Sequence, residues 1–376
     1  GQNVVEFTAS GAVSSGKPVI LNANGTVTEV AETSVSESKG SVGTFDSNTN
    51  PTYAGYFGGY DTNVDVHFFG YQDTSDYYPK FKCLTLSGST LSVASTTTLA
   101  SNDNTGSQVI CTFHPTTNLV VALTRQSSVN YAEAITIASS GSSITQGTRV
   151  NMSLGNEHEF FQAVYDEDSG YIVAISQYNS RPYLVAYKPS GTGASATVTV
   201  GTQSQLYTDT VQFPTLYYDK SQNKIVAGYT DDNDGNDFYV HPVSVNSSTG
   251  ALTIGTRQKL HPDGAGQCYM VYDEEAQRGI WGGQLSGSYF NMIAIKLNDD
   301  DSFTFGTAIS DSSFTDSHNS TQSTRINGTL KGTPLIYHPV LKKTLFVYRT
   351  QTNNYDAVWP ITCTDTTLTV GSISYL

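Results

Sequence analysis

The sequence predicts an all-β fold, a β-propeller of about six four-stranded blades preceded by a short N-terminal β segment. Two landmarks recur along the chain in one register, and the composition suits short strands joined by polar turns. Charged residues make up only 14% of the chain, whereas there are 33 glycines and 24 tyrosines. A parallel β-helix is the competing repeat fold, but its coils are shorter and lack hairpins.

The first landmark is a strand that ends in an aromatic residue followed by Asp or His. Its anchors are Asp61, His114, Asp166, Asp219, Asp273 and His338, and the successive spacings are 53, 52, 53, 54 and 65 residues. An Asp that opens a turn accepts hydrogen bonds from the backbone N–H groups two residues further on. We therefore interpret the anchor aspartates as turn formers rather than as catalytic carboxylates.

The second landmark is a glycine near the end of each repeat, 33 to 36 residues after the anchor. It occurs as Gly147, Gly201, Gly255, Gly306 and Gly371, while the first repeat has Ala94 instead. Between the landmarks each repeat has the pattern of four strands, A to D. The predicted blades span residues 53–99, 108–154, 158–206, 212–260, 267–310 and 334–376.

The first 50 residues carry no anchor, so the predicted domains are an N-terminal β element with a linker, 1–50, and a propeller, 51–376. Residues 4–10 and 18–21 have the character of short strands, and 22–25 followed by TVTEV indicates a hairpin. Three roles stay open for this segment: a separate element, a strand that clasps the ring, or part of a seventh blade.

Charge restricts the partners. The formal net charge of −14 and an isoelectric point near 4.7 disfavour nucleic acid, which requires clustered Lys and Arg. No apolar run approaches the roughly 18 to 20 residues of a membrane span, so no membrane insertion is predicted. The four cysteines are far apart and form no CxxC pair, which favours buried free thiols over a disulfide or metal site.

An aromatic residue is predicted at the start of strand C in every repeat. These residues are Tyr78, Tyr131, Tyr183, Phe238, Tyr289 and Tyr355. As a ring near the face that holds the B-to-C turns, they could bind sugars by stacking. The alternative, favoured for a repeat position, is that they are wedges packed between blades.

The densest group of carboxylates is DDNDGND at residues 231–237, in a predicted B-to-C turn. Aligned with a calcium loop, it places Asp232 and Asp234 at ligand positions but puts Thr230 where the first carboxylate is required. A solvated acidic turn is the favoured interpretation, with a Ca²⁺ site at Asp232 and Asp234 as the alternative. No other cofactor is predicted.

Catalytic motifs are incomplete throughout. Residues 11–18 (GAVSSGKP) approach a phosphate-binding loop, but Pro18 replaces the magnesium-binding Ser or Thr. Residues 158–162 (HEFFQ) approach a zinc-protease helix but lack the second His and open a strand. Neither a GxSxG elbow nor repeated SxDxGxTW boxes occur. We therefore expect a protein without enzymatic activity.

Residues 9–30 (ASGAVSSGKPVILNANGTVTEV) resemble a compact β element found in virion proteins of tailed bacteriophages. The resemblance implies a structural protein of the tail-fibre, knob or decoration type, present in several copies on the particle surface. Its implied partners are other virion proteins and a host-surface glycan or receptor. The repeat spacing separately predicts that the polar insertion at 311–331 projects on the face of the B-to-C turns. An extracellular binding module of a cell and a propeller glycoside hydrolase are the alternatives.

Overall fold

A computed structural model describes residues 8–13, 19–24, 26–29, 57–72, 76, 78–88, 90–99, 109–126, 129–152, 154, 158–261, 266–284, 290–310, 335–349, 356–372 and 374–375. Internal contacts divide the chain into two units, Gly1–Gly40 and Ser41–Leu376. The predicted boundary at residue 50 lies outside the described residues.

The N-terminal unit contains a three-stranded sheet. Its strands are Thr8–Ala9 (β1), Val19–Leu21 (β2) and Thr26–Glu29 (β3). Strand β3 is central, parallel to β1 and antiparallel to β2. The β2–β3 hairpin is the one predicted at 22–25, and the Asn24 side chain accepts a hydrogen bond from the Thr26 amide at 3.1 Å. All three residues of β2 are exposed.

The described residues of the second unit form six sheets, blades 1 to 6. Blade 1 has Phe57–Asp61 (β4), Val66–Gln72 (β5), Pro79–Ser87 (β6), Thr90–Val93 (β7) and Thr97–Thr98 (β8). Blade 2 has Val109–His114 (β9), Leu119–Gln126 (β10), Val129–Ile137 (β11), Ile144–Gln146 (β12) and Val150–Asn151 (β13). Blade 3 has Glu159–Asp166 (β14), Tyr171–Tyr178 (β15), Arg181–Ser190 (β16), Thr197–Val200 (β17) and Ser204–Gln205 (β18), with a 3₁₀ turn at Gly193–Ser195.

The remaining three blades repeat this order. Blade 4 has Val211–Asp219 (β19), Lys224–Asp231 (β20), Asp237–Val245 (β21), Leu252–Ile254 (β22) and Gln258–His261 (β23). Blade 5 has Gly266–Asp273 (β24), Arg278–Gln284 (β25), Phe290–Leu297 (β26), Phe303–Phe305 (β27) and Ile309–Ser310 (β28). Blade 6 has Leu335–His338 (β29), Lys343–Arg349 (β30), Asp356–Thr364 (β31), Thr367–Val370 (β32) and Ser374–Tyr375 (β33).

Each sheet is an antiparallel meander in which strand D is broken in two. The strands pair in the order A, B, C and the first half of D, and the second half of D pairs with C again. The prediction of a β-propeller of about six four-stranded blades is confirmed, with six such sheets among the described residues. Across the described residues there is no α-helix, and accordingly none long and apolar enough to cross a membrane.

The landmark glycine lies at the break in strand D. In blade 2 the Gly147 amide donates to the Ala134 carbonyl of strand C at 2.8 Å, and Gly306 makes the same contact in blade 5 at 2.9 Å. A Cβ atom at Gly306 would lie 2.0 Å from the Thr366 carbonyl oxygen of blade 6. Because no side chain fits there, glycine is required where neighbouring blades approach closely.

Apolar side chains form a separate cluster at each of the five junctions from blades 1–2 to blades 5–6. Successive side chains of a strand point to opposite faces of its sheet. Tyr217 therefore packs toward blade 5, whereas Tyr218 packs toward blade 3. Because both faces are buried, the strands are almost continuously apolar. All four cysteines are free and buried, as predicted.

The anchor aspartates form turns, as predicted from the sequence. Asp61 accepts a hydrogen bond from the Asn63 amide at 2.9 Å, and Asp219 accepts one from the Ser221 amide at 3.0 Å. Asp166 and Asp273 do the same in their own turns. Burial raises the pKa of each of these carboxyl groups, and the turn hydrogen bonds partly offset that rise.

In blades 3, 4 and 5 the tyrosine before the anchor ties its blade to the preceding one. The Tyr165 hydroxyl of blade 3 lies 2.9 Å from the Thr116 hydroxyl of blade 2. The Tyr272 hydroxyl of blade 5 accepts a hydrogen bond from the Ser221 amide of blade 4 at 3.1 Å. The aromatic residue of this landmark is therefore part of the scaffold.

Candidate functional site

In each meander, the B-to-C turns and the connections from strand D to the next strand A emerge on one face of the propeller, the B–C face. Its described part includes the B-to-C turns at 179–180 and 232–236 and the connection at 206–210. The predicted insertion at 311–331 lies outside the described residues.

The four predicted aromatic residues that the structure describes do not share one structural position. The landmark glycines give a common reference, because Gly147, Gly201 and Gly255 donate to Ala134, Ala186 and Pro242 of strand C, each at 2.8 Å. Three residues before these acceptors lie Tyr131, Tyr183 and Tyr239, so the residue in register in blade 4 is Tyr239 and not Phe238. The expectation of a single ring is wrong because the B-to-C turns differ in length, and counting from the anchor does not preserve register.

The predicted aromatic residues have different surroundings. Phe238 is fully buried at the junction of blades 4 and 5, with its ring centroid 5.4 Å from that of Trp281, as the wedge alternative predicts. Tyr78, which precedes β6, is half-buried beside Lys80. Tyr131 and Tyr183 are also half-buried. Tyr289 and Tyr355 lie outside the described residues.

Blade 4 brings an arginine and three tyrosines together near the B–C face. The Arg257 guanidinium carbon lies 4.3 Å from the ring centroid of Tyr207 and 4.2 Å from that of Tyr239. Tyr207 belongs to the connection that enters blade 4 from blade 3, and its ring stacks on Tyr229 at 5.2 Å. We call Tyr207, Tyr229, Asp231, Tyr239 and Arg257 the Arg257 cluster.

Hydrogen bonds hold the Arg257 side chain in place. Its Nη1 donates to Asp231 Oδ2 at 2.8 Å and approaches the Tyr229 hydroxyl at 3.5 Å. The Asp231 side chain is only 1% exposed, whereas 31% of the Arg257 side chain remains exposed. Hydrogen bonds to Tyr229 and Asp231 raise the pKa of Arg257 despite partial burial, so the guanidinium remains charged.

A buried histidine supports the cluster from beneath. His241 Nδ1 lies 3.0 Å from the Gly255 carbonyl oxygen and must donate to it, which leaves Nε2 to accept from the Tyr229 hydroxyl at 3.1 Å. Burial lowers the pKa of His241, so the neutral ring that this arrangement requires is favoured. The Tyr229 hydroxyl therefore donates to His241 and faces the Arg257 guanidinium as an acceptor.

The acidic turn at 232–236 lies beside the cluster. Asp234 accepts a hydrogen bond from the Tyr239 hydroxyl and pairs with Lys259 at 3.4 Å. Asp237 also pairs with Lys259. Within the described residues, no group of three or more acidic, His or Cys side chains is arranged to hold a metal ion. The Ca²⁺ alternative at Asp232 and Asp234 therefore gains no third acidic, His or Cys ligand from the described residues.

One carboxylate oxygen in this turn differs from the others in its hydrogen bonding. Asp232 Oδ1 is buried, and within the described structure it has no hydrogen-bond partner. The Asp232 amide donates to the Thr210 carbonyl at 3.2 Å, so this residue joins the turn to the connection that carries Tyr207. An acceptor of this kind calls for a donor from a ligand or from water.

Blades 2 and 3 contain counterparts of the cluster. In blade 2 the Arg149 guanidinium carbon lies 3.8 Å from the Tyr131 ring centroid. Burial raises the pKa of the neighbouring Glu133 to about 7, and Arg149 opposes this rise. In blade 3 Gln203 occupies the arginine position and donates to His158. Sequence reasoning missed these arginines, although the repeated Gly-Thr-Arg at 147–149 and 255–257 is a visible signal.

The opposite face has a separate cleft of about 320 Å³ at the C-to-D turn of blade 5. It is lined by Lys296, Asn298, Asp299, Asp300 and Ser302. These side chains offer no aromatic surface, so the Arg257 cluster is the better candidate for ligand binding.

Comparison with known proteins supports the fold. No family model matches this sequence, and no curated protein matches it. A protein of Lactobacillus plantarum has a solved structure with a TM-score of 0.57 and 13% identity, covering 98% of this chain and 94% of the other. The likeness extends over nearly the whole of both chains. The fold is a β-propeller.

Weaker likenesses involve a 6-phosphogluconolactonase-like protein of Bacteroides uniformis and a variant of the NanB sialidase of Streptococcus pneumoniae. The first has a TM-score of 0.49 and 11% identity, covering 98% of each chain. The second has a TM-score of 0.42 and 8% identity, covering 84% of this chain and 66% of the other.

Proposed function

We propose that this chain is a non-catalytic adhesion protein on the surface of a tailed-bacteriophage virion, and that its propeller binds a host-surface glycan at the Arg257 cluster. The observation that carries the proposal is the Arg257 guanidinium held between the Tyr207 and Tyr239 rings and still 31% exposed. Sugars offer apolar ring faces to aromatic side chains and hydroxyl groups to fixed donors. A half-buried tyrosine beside an immobilised arginine supplies both kinds of contact.

The carboxylates near the cluster support binding rather than hydrolysis. Glycoside hydrolases use two acidic side chains that act on one bond. Asp231 is paired with Arg257, and Asp237 is paired with Lys259. The anchor aspartates are used in turns on the other face. Each of these groups already has a structural partner.

The N-terminal element supports the virion part of the proposal. Residues 9–30 carry the resemblance to phage virion proteins, and the described part of that segment forms a small sheet. Val19, Ile20 and Leu21 are 45%, 58% and 57% exposed. Contiguous exposed apolar residues are typical of a protein–protein contact, here with another virion protein. Several copies on one particle would add avidity to weak individual sites.

Binding to host cells tests the adhesion part. We expect the purified chain to bind host cells, and we expect Arg257→Met and Tyr207→Ala to weaken that binding by at least about tenfold, since each removes a central contact. Arg149→Met is the matched control, because it removes an arginine stacked on a tyrosine in blade 2. Release of sugar from host polysaccharide, or equal loss of binding in the control, would contradict this part.

Incorporation into particles tests the virion part. Ile20→Asp places a charge on the exposed N-terminal strand, and we expect it to reduce the amount of the chain in purified particles. Leu86→Asp is the matched control, because Leu86 is equally exposed at 58% but belongs to the propeller. Absence of the wild-type chain from purified particles would refute the virion assignment.

A further inference from the structure

We infer that the Arg257 cluster selects an uncharged saccharide, bound through neighbouring hydroxyl groups, over an acidic one. This inference rests on the proposed function, because it names the chemical class of ligand for the same site. An exposed arginine would ordinarily point to a carboxylate or phosphate ligand. The charges around Arg257 reverse that expectation.

The positive charge of Arg257 is already compensated inside the protein. Asp231 Oδ2 lies 2.8 Å from Arg257 Nη1 and is shielded from solvent, with 1% of its side chain exposed. The pair is partly buried, so water screens it less than an exposed pair. An incoming anion would therefore meet a neutral ion pair rather than an isolated cation.

The rest of the site is acidic. Within 231–259 the positive charges are those of Arg257 and Lys259, and the negative charges are those of Asp231, Asp232, Asp234 and Asp237. Lys259 is shared between Asp234 and Asp237. With two positive charges against four negative ones, an acidic sugar is repelled at short range.

The groups left for a ligand match hydroxyl groups. An arginine only donates hydrogen bonds, so it requires an acceptor on the ligand. Asp232 Oδ1, which is buried and has no partner within the described structure, only accepts and so requires a donor. A sugar hydroxyl both donates and accepts, so hydroxyl groups suit an arginine donor and a carboxylate acceptor alike. Tyr207 is half-buried, so the exposed part of its ring can contact the apolar surface of a sugar.

The test compares sugars that differ at C6, where the uronates carry a carboxylate in place of the hydroxymethyl group. Galactose, glucose and mannose oligosaccharides are paired with the corresponding uronate oligosaccharides, and binding to the full chain is measured by isothermal titration calorimetry and ligand-observed NMR. We expect at least one neutral sugar to bind, and we expect its uronate partner to bind at least about tenfold more weakly, a difference of about 1.4 kcal/mol. Arg257→Met and Tyr207→Ala should abolish the neutral binding, while Arg149→Met should retain it.

Asp231→Asn tests whether the negative charge of Asp231 causes the preference for a neutral sugar over an acidic one. This substitution removes the internal counter-charge, and the Asn oxygen can still accept from the Asn233 amide, which Asp231 Oδ1 contacts at 3.1 Å. We expect the preference for the neutral sugar to narrow by about tenfold or to reverse. Circular dichroism of each variant checks that it is folded. Asp232→Asn is a second variant, because it removes one negative charge from the site but keeps the ion pair between Asp231 and Arg257.

The outcomes separate the two proposals. Equal or tighter binding of the uronates by the wild-type chain would overturn the inference and leave adhesion at the cluster intact. A wild-type chain that binds none of the sugars would also overturn it, even if the chain binds host cells. Neutral-sugar binding by a chain that is absent from phage particles would refute the virion function and leave the inference standing.

Discussion

Protonation of the buried His158 should contribute to the destabilisation of this propeller by acid. His158 is 0% exposed, and its ring centroid lies 5.3 Å from that of Tyr178 and 5.2 Å from that of Tyr183. Gln203 Nε2 lies 3.1 Å from His158 Nε2 and can only donate, so that ring nitrogen is the acceptor. His158 Nδ1 therefore carries the proton and donates to Ser176 Oγ at 3.0 Å.

The magnitude follows from the shift of the pKa. Burial lowers the pKa of His158 from 6.5 to about 4. Between these two pH values the unfolded chain binds more protons than the folded one, so the free energy of unfolding decreases as the pH falls. The contribution is fully present above pH 6.5, and a shift of this size corresponds to about 3 kcal/mol lost by pH 4.

Urea unfolding at pH 4, 5, 6 and 7 measures this contribution. The His158→Gln variant is expected to be less stable than the wild type at pH 7, and the difference should shrink by up to about 3 kcal/mol toward pH 4. Val173→Ala, a truncation in the core of the same blade, is the control and should cost a similar amount at every pH. A difference between wild type and His158→Gln that stays constant with pH would refute the reasoning.

Three further predictions test the packing and electrostatics by urea unfolding. Burial raises the pKa of Glu133 from 4.5 to about 7, so the wild type should lose stability as the pH rises through this interval. Glu133→Gln should remove up to about 3 kcal/mol of that loss at pH 8. Parallel pH profiles of the wild type and the variant would contradict this prediction. Gly306→Ala should destabilise by more than Gly201→Ala, because the added Cβ would lie 2.0 Å from a carbonyl oxygen in the first case and 3.0 Å in the second; the reverse order would be inconsistent with the packing described. Phe238→Ala should cost about 3–5 kcal/mol, since it leaves a cavity at a blade junction, and a cost below about 1 kcal/mol would place the ring at the surface instead.

The repeat could be predicted because its landmarks are fixed by local chemistry. Asp219 must open its turn with a short acceptor side chain, and Gly306 must leave room for a neighbouring carbonyl, so both residue types recur at one interval. These requirements are independent of what the propeller binds. The repeat and the order of the strands within it therefore follow from the sequence.

The register of strand C could not be predicted in the same way. Phe238 and Tyr239 are adjacent aromatic residues, and only pairing with the neighbouring strands decides which of them faces blade 3. The B-to-C turn before them varies in length among the blades, so a count from the anchor slips by one residue. A slip of one residue exchanges a buried wedge for a member of the Arg257 cluster.

Arg257 itself was overlooked because its role depends on two remote pairings. The break in strand D after Gly255 carries Arg257 across the face of Tyr239, while Tyr207 arrives from another blade. Neither contact produces a periodic pattern in the sequence around Arg257. The repeated Gly-Thr-Arg becomes informative only when the outer strand is known to be broken at that glycine.

The broken outer strand also affects the tendency of the protein to aggregate at high concentration. Each half of strand D is only two to four residues long, as β12 and β13 of blade 2 illustrate with three and two. Long unpaired strand edges recruit other chains into continuous sheets, whereas short interrupted ones do not. At high local concentration, copies of the protein should therefore not aggregate through their sheet edges, because each outer half-strand is too short to pair stably with another molecule.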